Sequence, residues 1–111
     1  MRYAVPVSNG IVAAHFGHCQ HFAMFDVDSN GKITERRLVD SPDHQPGLLP
    51  AWLAEEGVSA VIAGGMGSRA QDLFNQNNIQ VVIGATEIDP EAAVLQFIEG
   101  SLATTDNICD H

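Results

Sequence analysis

Three histidines and a cysteine stand within seven residues in His15-Phe16-Gly17-His18-Cys19-Gln20-His21. Imidazole nitrogen and thiolate sulfur are the donors that hold borderline and soft metals, including iron, copper, zinc and metal–sulfur clusters. The second of the chain's two cysteines lies in its last three residues, Cys109-Asp110-His111, again beside a histidine. These segments make His15, His18, Cys19, Cys109 and His111 the candidate metal ligands. A loop lets His15, His18 and Cys19 converge on one ion, whereas a strand points alternate residues to opposite faces. The competing role for Cys19 is a packed thiol, because a buried cysteine behaves as a small hydrophobe. His21 reads as a sheet-surface residue, and His44, between Pro42 and Pro46, as a solvated loop residue with a fifth donor as its alternative role.

A second constellation is Gly64-Gly65-Met66-Gly67-Ser68-Arg69. It follows an apolar run and precedes helical spacing, so its backbone amides and the helix dipole could attract an anion, with Arg69 adding a charged contact. Gly64, Gly65, Met66, Gly67 and Arg69 are therefore candidate cofactor-binding residues. The turn lacks a P-loop lysine, and no acidic residue about twenty positions on supports a dinucleotide fingerprint. The glycines could equally serve only close packing. Other catalytic patterns are missing from the sequence: there is no Cys-x-x-Cys and no Gly-x-Ser-x-Gly, and Glu55-Glu56 reads as a solvated helix end.

The elements that must position these residues follow from hydrophobic period and turn chemistry. Residues 2–8 read as a strand ending at Asn9-Gly10, and 11–14 as a loop or short strand. Residues 21–28 and 33–39 read as strands joined by a tight Ser29-Asn30-Gly31-Lys32 hairpin, with Asn-Gly supplying positive φ. An irregular proline-containing segment, 40–50, leads to a helix ended by Gly57. Residues 58–63 read as a continuous apolar run, the pattern of a strand covered on both faces, and 79–83 as a second buried strand, with a helix over 68–77 between them. Asp89 as cap with Pro90 at the first helical position opens a last helix that stops near Gly100. The order β-β-β-α-β-α-β-α predicts a mixed five-stranded sheet, an antiparallel meander followed by βαβ units, flanked by helices. Residues 1–100 form one α/β domain, and 101–111 are expected to be a flexible tail carrying Cys109 and His111.

The 111 residues carry 14 acidic and only 5 basic side chains, for a formal charge of −9. Arg2, Lys32, Arg36, Arg37 and Arg69 form no basic stripe, so nucleic acid and anionic membrane surfaces are poor partners. The apolar runs are too short to span a bilayer, no secretory leader opens the chain, and a cytoplasmic location is expected.

Tyr3-Ala4-Val5-Pro6-Val7, His15-Phe16-Gly17-His18-Cys19-Gln20-His21-Phe22, Phe25-Asp26-Val27 and Gly64-Gly65-Met66-Gly67-Ser68-Arg69-Ala70 together resemble the dinitrogenase iron–molybdenum cofactor biosynthesis family. The resemblance runs from residue 1 to about residue 100. It implies a ribonuclease H-like α/β fold without nuclease activity. It also implies non-enzymatic binding, carriage or storage of a metal–sulfur cluster, of the iron–molybdenum or molybdenum–copper sulfide type. The family's loop histidine falls on His15, and relatives with cysteine–histidine tails suggest Cys109 and His111. The implied partners are cluster-donating or cluster-receiving proteins, with the chain a monomer or weak homodimer. Two other functions stay open: an interaction or regulatory domain without metal, and a small-molecule enzyme using the Gly-rich turn.

Overall fold

Five consecutive buried residues, Tyr3-Ala4-Val5-Pro6-Val7, form the middle of the first strand, β1 (Arg2–Ser8). A strand with no polar face must be covered on both sides, and its edges must be paired. The computed structural model, which describes residues 1–14, 16, 19–42 and 48–102, shows how that demand is met. On one edge β1 pairs antiparallel with β3 (His21–Val27), from Arg2↔Asp26 to Val7↔His21. On the other it pairs parallel with β5 (Ala60–Ile62) and, beyond the end of β5, antiparallel with the two-residue β2 (Ile11–Val12). β4 (Ile33–Asp40) extends the sheet antiparallel to β3, and β6 (Gln80–Val82) extends it parallel to β5. The order is β4-β3-β1-β5-β6, with β2 attached to β1.

The mixed α/β sheet flanked by helices is as the sequence predicts, but it has six strands where five are expected. The additional strand is β2. Asn9 and Gly10 take φ of 55° and 82°, turning the chain tightly so that Val12 returns opposite Val7. The second hairpin also differs in detail. Among the described residues of its loop, Gly31 alone has positive φ, and Asp28 Oδ1 accepts from the amides of Asn30 (2.9 Å) and Lys32 (3.0 Å). The Asx-type bonds of Asp28 thus take over part of the shaping expected of Asn30.

Alternation along β1 divides the core. Ala4 faces a cluster containing Phe22, Met24, Val61, Leu53 of α1 (Leu48–Glu55) and Phe74 of α2 (Ser68–Gln76). Tyr3, Val5 and Val7 face a second cluster with Ala23, Phe25, Ile62 and Ala93 and Val94 of α3 (Pro90–Glu99). Asp89 caps α3 by accepting from the Ala92 amide at 2.9 Å, and Gly100 ends it in the left-handed region. Leu102, beyond the expected domain boundary, is half-buried against the α3 cluster. Residues 103–111 lie outside the described residues.

At the opposite end of β1, Arg2 ties three elements together. Its Nε donates to Asp26 Oδ1 on β3 at 2.6 Å, and its Nη1 donates to the Glu56 carbonyl after α1. The Arg2 hydrogen bond holds the Asp26 carboxyl below its ordinary range despite the opposing effect of burial. Because the folded-state value is the lower one, the pair stabilises the fold above the ordinary carboxylate range and loses that contribution as pH falls through it. Asp26→Asn should lower Tm near neutral pH, a loss of about 1 kcal/mol or less for a partly exposed pair. The difference from the parent should shrink in acid. A difference independent of pH in thermal scans would show that this pair is not its source.

Candidate functional site

The parallel strands β1, β5 and β6 end on one edge of the sheet, and the loops that follow them meet there. From β1 the chain proceeds to β3 on one side and later to β5 on the other, so β1 and β5 flank a topological switch point. Ligands of open α/β sheets bind outside the strand carboxyl ends at such a point. Two segments converge at it: Ala13, Ala14 and Phe16 before β3, and the Gly64–Gly67 turn between β5 and α2.

Their contact is backbone to backbone. The Phe16 amide donates to the Gly65 carbonyl at 2.7 Å, and the Gly84 amide to the Gly64 carbonyl at 2.6 Å. A Cβ on Gly64 would lie 3.0 Å from the Ala14 carbonyl oxygen and 3.1 Å from that of Ala13, so a side chain there would need the Ala13–Ala14 backbone to give by a few tenths of an ångström, and glycine favours this approach. The Phe16 ring packs against Phe22 and Phe74, at centroid distances of 6.1 and 5.2 Å. Phe16 thereby joins the histidine-containing loop to the sheet and to α2.

The sequence candidates fall into distinct environments. His15 lies in the chain between Ala14 and Phe16, both at this junction, but His15, Gly17 and His18 are outside the described residues, as are His44, Cys109 and His111. Cys19 is described and is 4% exposed. It belongs to the cluster of Ala13, Phe22, Met66 and Phe74, and its thiol points to Ser41 Oγ at 3.9 Å. His21 begins β3, half-exposed, with Nε2 3.2 Å from Asp40 Oδ1. Among the described residues no three His, Cys, Asp or Glu side chains stand close enough to share a metal ion.

In the Gly-rich turn, Met66 is fully buried, so its side chain anchors the turn while only backbone could face a ligand. Gln71 Nε2 donates to the Met66 carbonyl at 3.1 Å and holds that anchor against the first turn of α2. Gly67 is the N-cap of α2, supplies no capping side chain, and opens onto free space. Arg69 in the first helical turn is exposed. An anion approaching Gly67 would meet the amino end of a nine-residue helix with a cation beside it. Sequence reasoning found the turn and the loop but missed Phe16 and Ala14, whose importance comes only from contact with Gly64 and Gly65.

This arrangement is a small mixed α/β domain in which the stretch before β3 and a glycine-rich turn meet at the carboxyl edge of the parallel strands. The model of the dinitrogenase iron-molybdenum cofactor family matches residues 1–100, and the chain belongs to that family. Protein MJ0580 of Methanocaldococcus jannaschii, described as uncharacterized, is 32% identical over 107 residues, covering 92% of this chain and 89% of that protein. The crystal structure of PH0822 superposes with a TM-score of 0.84 at 29% identity, covering 94% of each chain. The apo form of the orange protein from Desulfovibrio gigas gives 0.71 at 24% identity, over 96% of this chain and 93% of that one, a likeness of fold.

Gly64→Ala should destabilise the protein by about 1–3 kcal/mol, the usual cost of forcing atoms into a packed site. Gly67→Ala, which meets nothing within 4 Å, should cost only its capping preference, under about 1 kcal/mol. Chemical denaturation of both variants checks the order. Equal losses would mean that the Ala14 contact is not what selects glycine at residue 64.

Proposed function

We propose that this protein binds a metal–sulfur cluster as cargo, of the iron–molybdenum or molybdenum–copper sulfide type, and carries or stores it without catalysing a reaction. The observation that supports this reading most is the backbone junction of Phe16 with Gly65 and of Ala14 with Gly64. It sets Ala14 and Phe16, the chain neighbours of His15, beside the turn that leads into a helix amino end without a side-chain cap, the combination that a polynuclear anionic cluster would use. Membership of the iron-molybdenum cofactor family supports the same cargo class.

In this reading His15 and His18 donate imidazole nitrogen, amides of the Gly65–Gly67 backbone and Arg69 face the cluster's negative charge, and Cys109 and His111 complete the ligand set. Cys19 is the weakest of these donors, because its thiol is packed in the core. A chain of charge −9 repels a distant anion, so loading depends on local donors or on a delivering protein, and unloading on a receiving one. No helix among the described residues is long and apolar enough to cross a membrane, and we place these exchanges in the cytoplasm. The strand order, with the second paired strand antiparallel to the central one, fits the ribonuclease H-like assignment.

Anaerobic reconstitution with iron sulfide or molybdenum–copper sulfide should give charge-transfer absorption with stoichiometric metal. His15→Ala and Cys109→Ala should each lower cluster retention about tenfold or more, the scale for losing a site residue. Retention equal to the parent in both variants would refute this ligand set. Cys19→Ala that loads fully but melts earlier would assign Cys19 to packing alone.

A further inference from the structure

β4 is an outer strand of the sheet, and its residues 34–38 are exposed, Leu38 at 65%. Long open edges are ordinarily guarded by charges or bulges. Here the irregularity lies at Thr34, the extra residue between the Asp26↔Glu35 and Val27↔Ile33 pairs, so Arg36–Asp40 is a regular run. Its register puts Arg36, Leu38 and Asp40 on the α3 side, opposite Phe25, Ala23 and His21, and puts Arg37 and Val39 on the other.

We propose that β4 pairs antiparallel with β4 of a second copy of this chain, about a two-fold axis at Leu38. In such a pair facing residues share a side of the sheet, so the axis must pass through a residue, and the candidate registers are few. Centred on Leu38, the two leucines face each other, and Arg36 of each copy faces Asp40 of the other. Arg37 faces Val39, where its aliphatic stem can lie on the apolar side chain. The exposed leucine is covered, and two opposite-charge pairs bracket it. Arg36 already meets Glu91 of its own chain, and Asp40 meets His21, so both side chains are held on this face.

Registers centred nearer the amino end fail on charge, and one centred on Val39 sets the exposed Leu38 against a carboxylate, Asp40, instead of covering it. A centre at Arg36 opposes two arginines and runs the pairing into the Thr34 irregularity. A centre at Arg37 again opposes arginines and sets Arg36 against Leu38, while a centre at Glu35 opposes two carboxylates. The complementarity of Arg36-Arg37-Leu38-Val39-Asp40 to itself is what selects a second copy over an unrelated strand. The contact is short, so the dimer is weak and forms at high concentration.

Sedimentation velocity of the metal-free chain over a concentration series should show the mass rising from 11.9 kDa toward twice that value. Leu38→Lys, a change at an exposed position, should stay monomeric with an unchanged circular dichroism spectrum. In a Cys109→Ser background, mild oxidation should cross-link Leu38→Cys through the axis, since facing residues of antiparallel strands fall within disulfide range. Arg36→Cys should remain uncrosslinked. A parent that is monomeric at every concentration, Leu38→Lys that associates like the parent, or Arg36→Cys that cross-links as fast as Leu38→Cys would each overturn the proposal. The readout needs no cluster, so it fails or succeeds independently of the cargo reading.

Discussion

The rest of the molecule is organised by the need to bury β1 on both faces while satisfying its hydrogen bonds on both edges. Ala4 and Val5 are fully buried on opposite sides, so one helical layer is insufficient, and α1 with α2 must cover one face while α3 covers the other. β3 occupies one edge along nearly its whole length. The other edge is shared, with β5 taking the amino-terminal half and β2 the carboxyl-terminal end. A single parallel strand there would have to be long. The tight Asn9-Gly10 turn lets the chain cap its own edge and then run straight into the loop that carries the histidines.

That economy has a chemical consequence at the sheet edge. The loop after β2 and the turn after β5 leave neighbouring positions and must pass within van der Waals contact, which Gly64 permits and a Cβ would crowd. Met66 on one side and Phe16 on the other fill the core beneath the junction. The backbone there is fixed from below by apolar packing, while the helix amino end at Gly67 stays open above. Burial of Met66 and Cys19 and exposure of Arg69 are two outcomes of one division between anchor and surface.

Much of this was legible in the chain because the relevant forces are local. The Asn9-Gly10 and Gly31 turns, the Asp89-Pro90 helix start and the Gly57 and Gly100 stops are set by dihedral preferences and short-range hydrogen bonds. The apolar run of β5 announced a strand with two covered faces, but β6, expected to be buried as well, is an outer strand with Gln80 exposed and its valines half-buried. Strand β2 was harder to see, since two residues have no period and gain strand geometry only by pairing with Val7 and Ser8. The hairpin at Gly31 was found, but the Asp28 side chain's share in closing it was not.

For the candidate site, residue types named the donors and the anion-receptive turn, because imidazole, thiol and glycine carry their chemistry wherever they stand. The sequence by itself determined that chemistry and the α/β order. Only the tertiary structure decided that Cys19 packs in the core, that His21 sits across from Asp40, and that Phe16 and Gly65 are bonded. Each of these depends on contacts between positions distant in the chain, where burial and close approach are set by how whole layers pack and not by any neighbour in sequence.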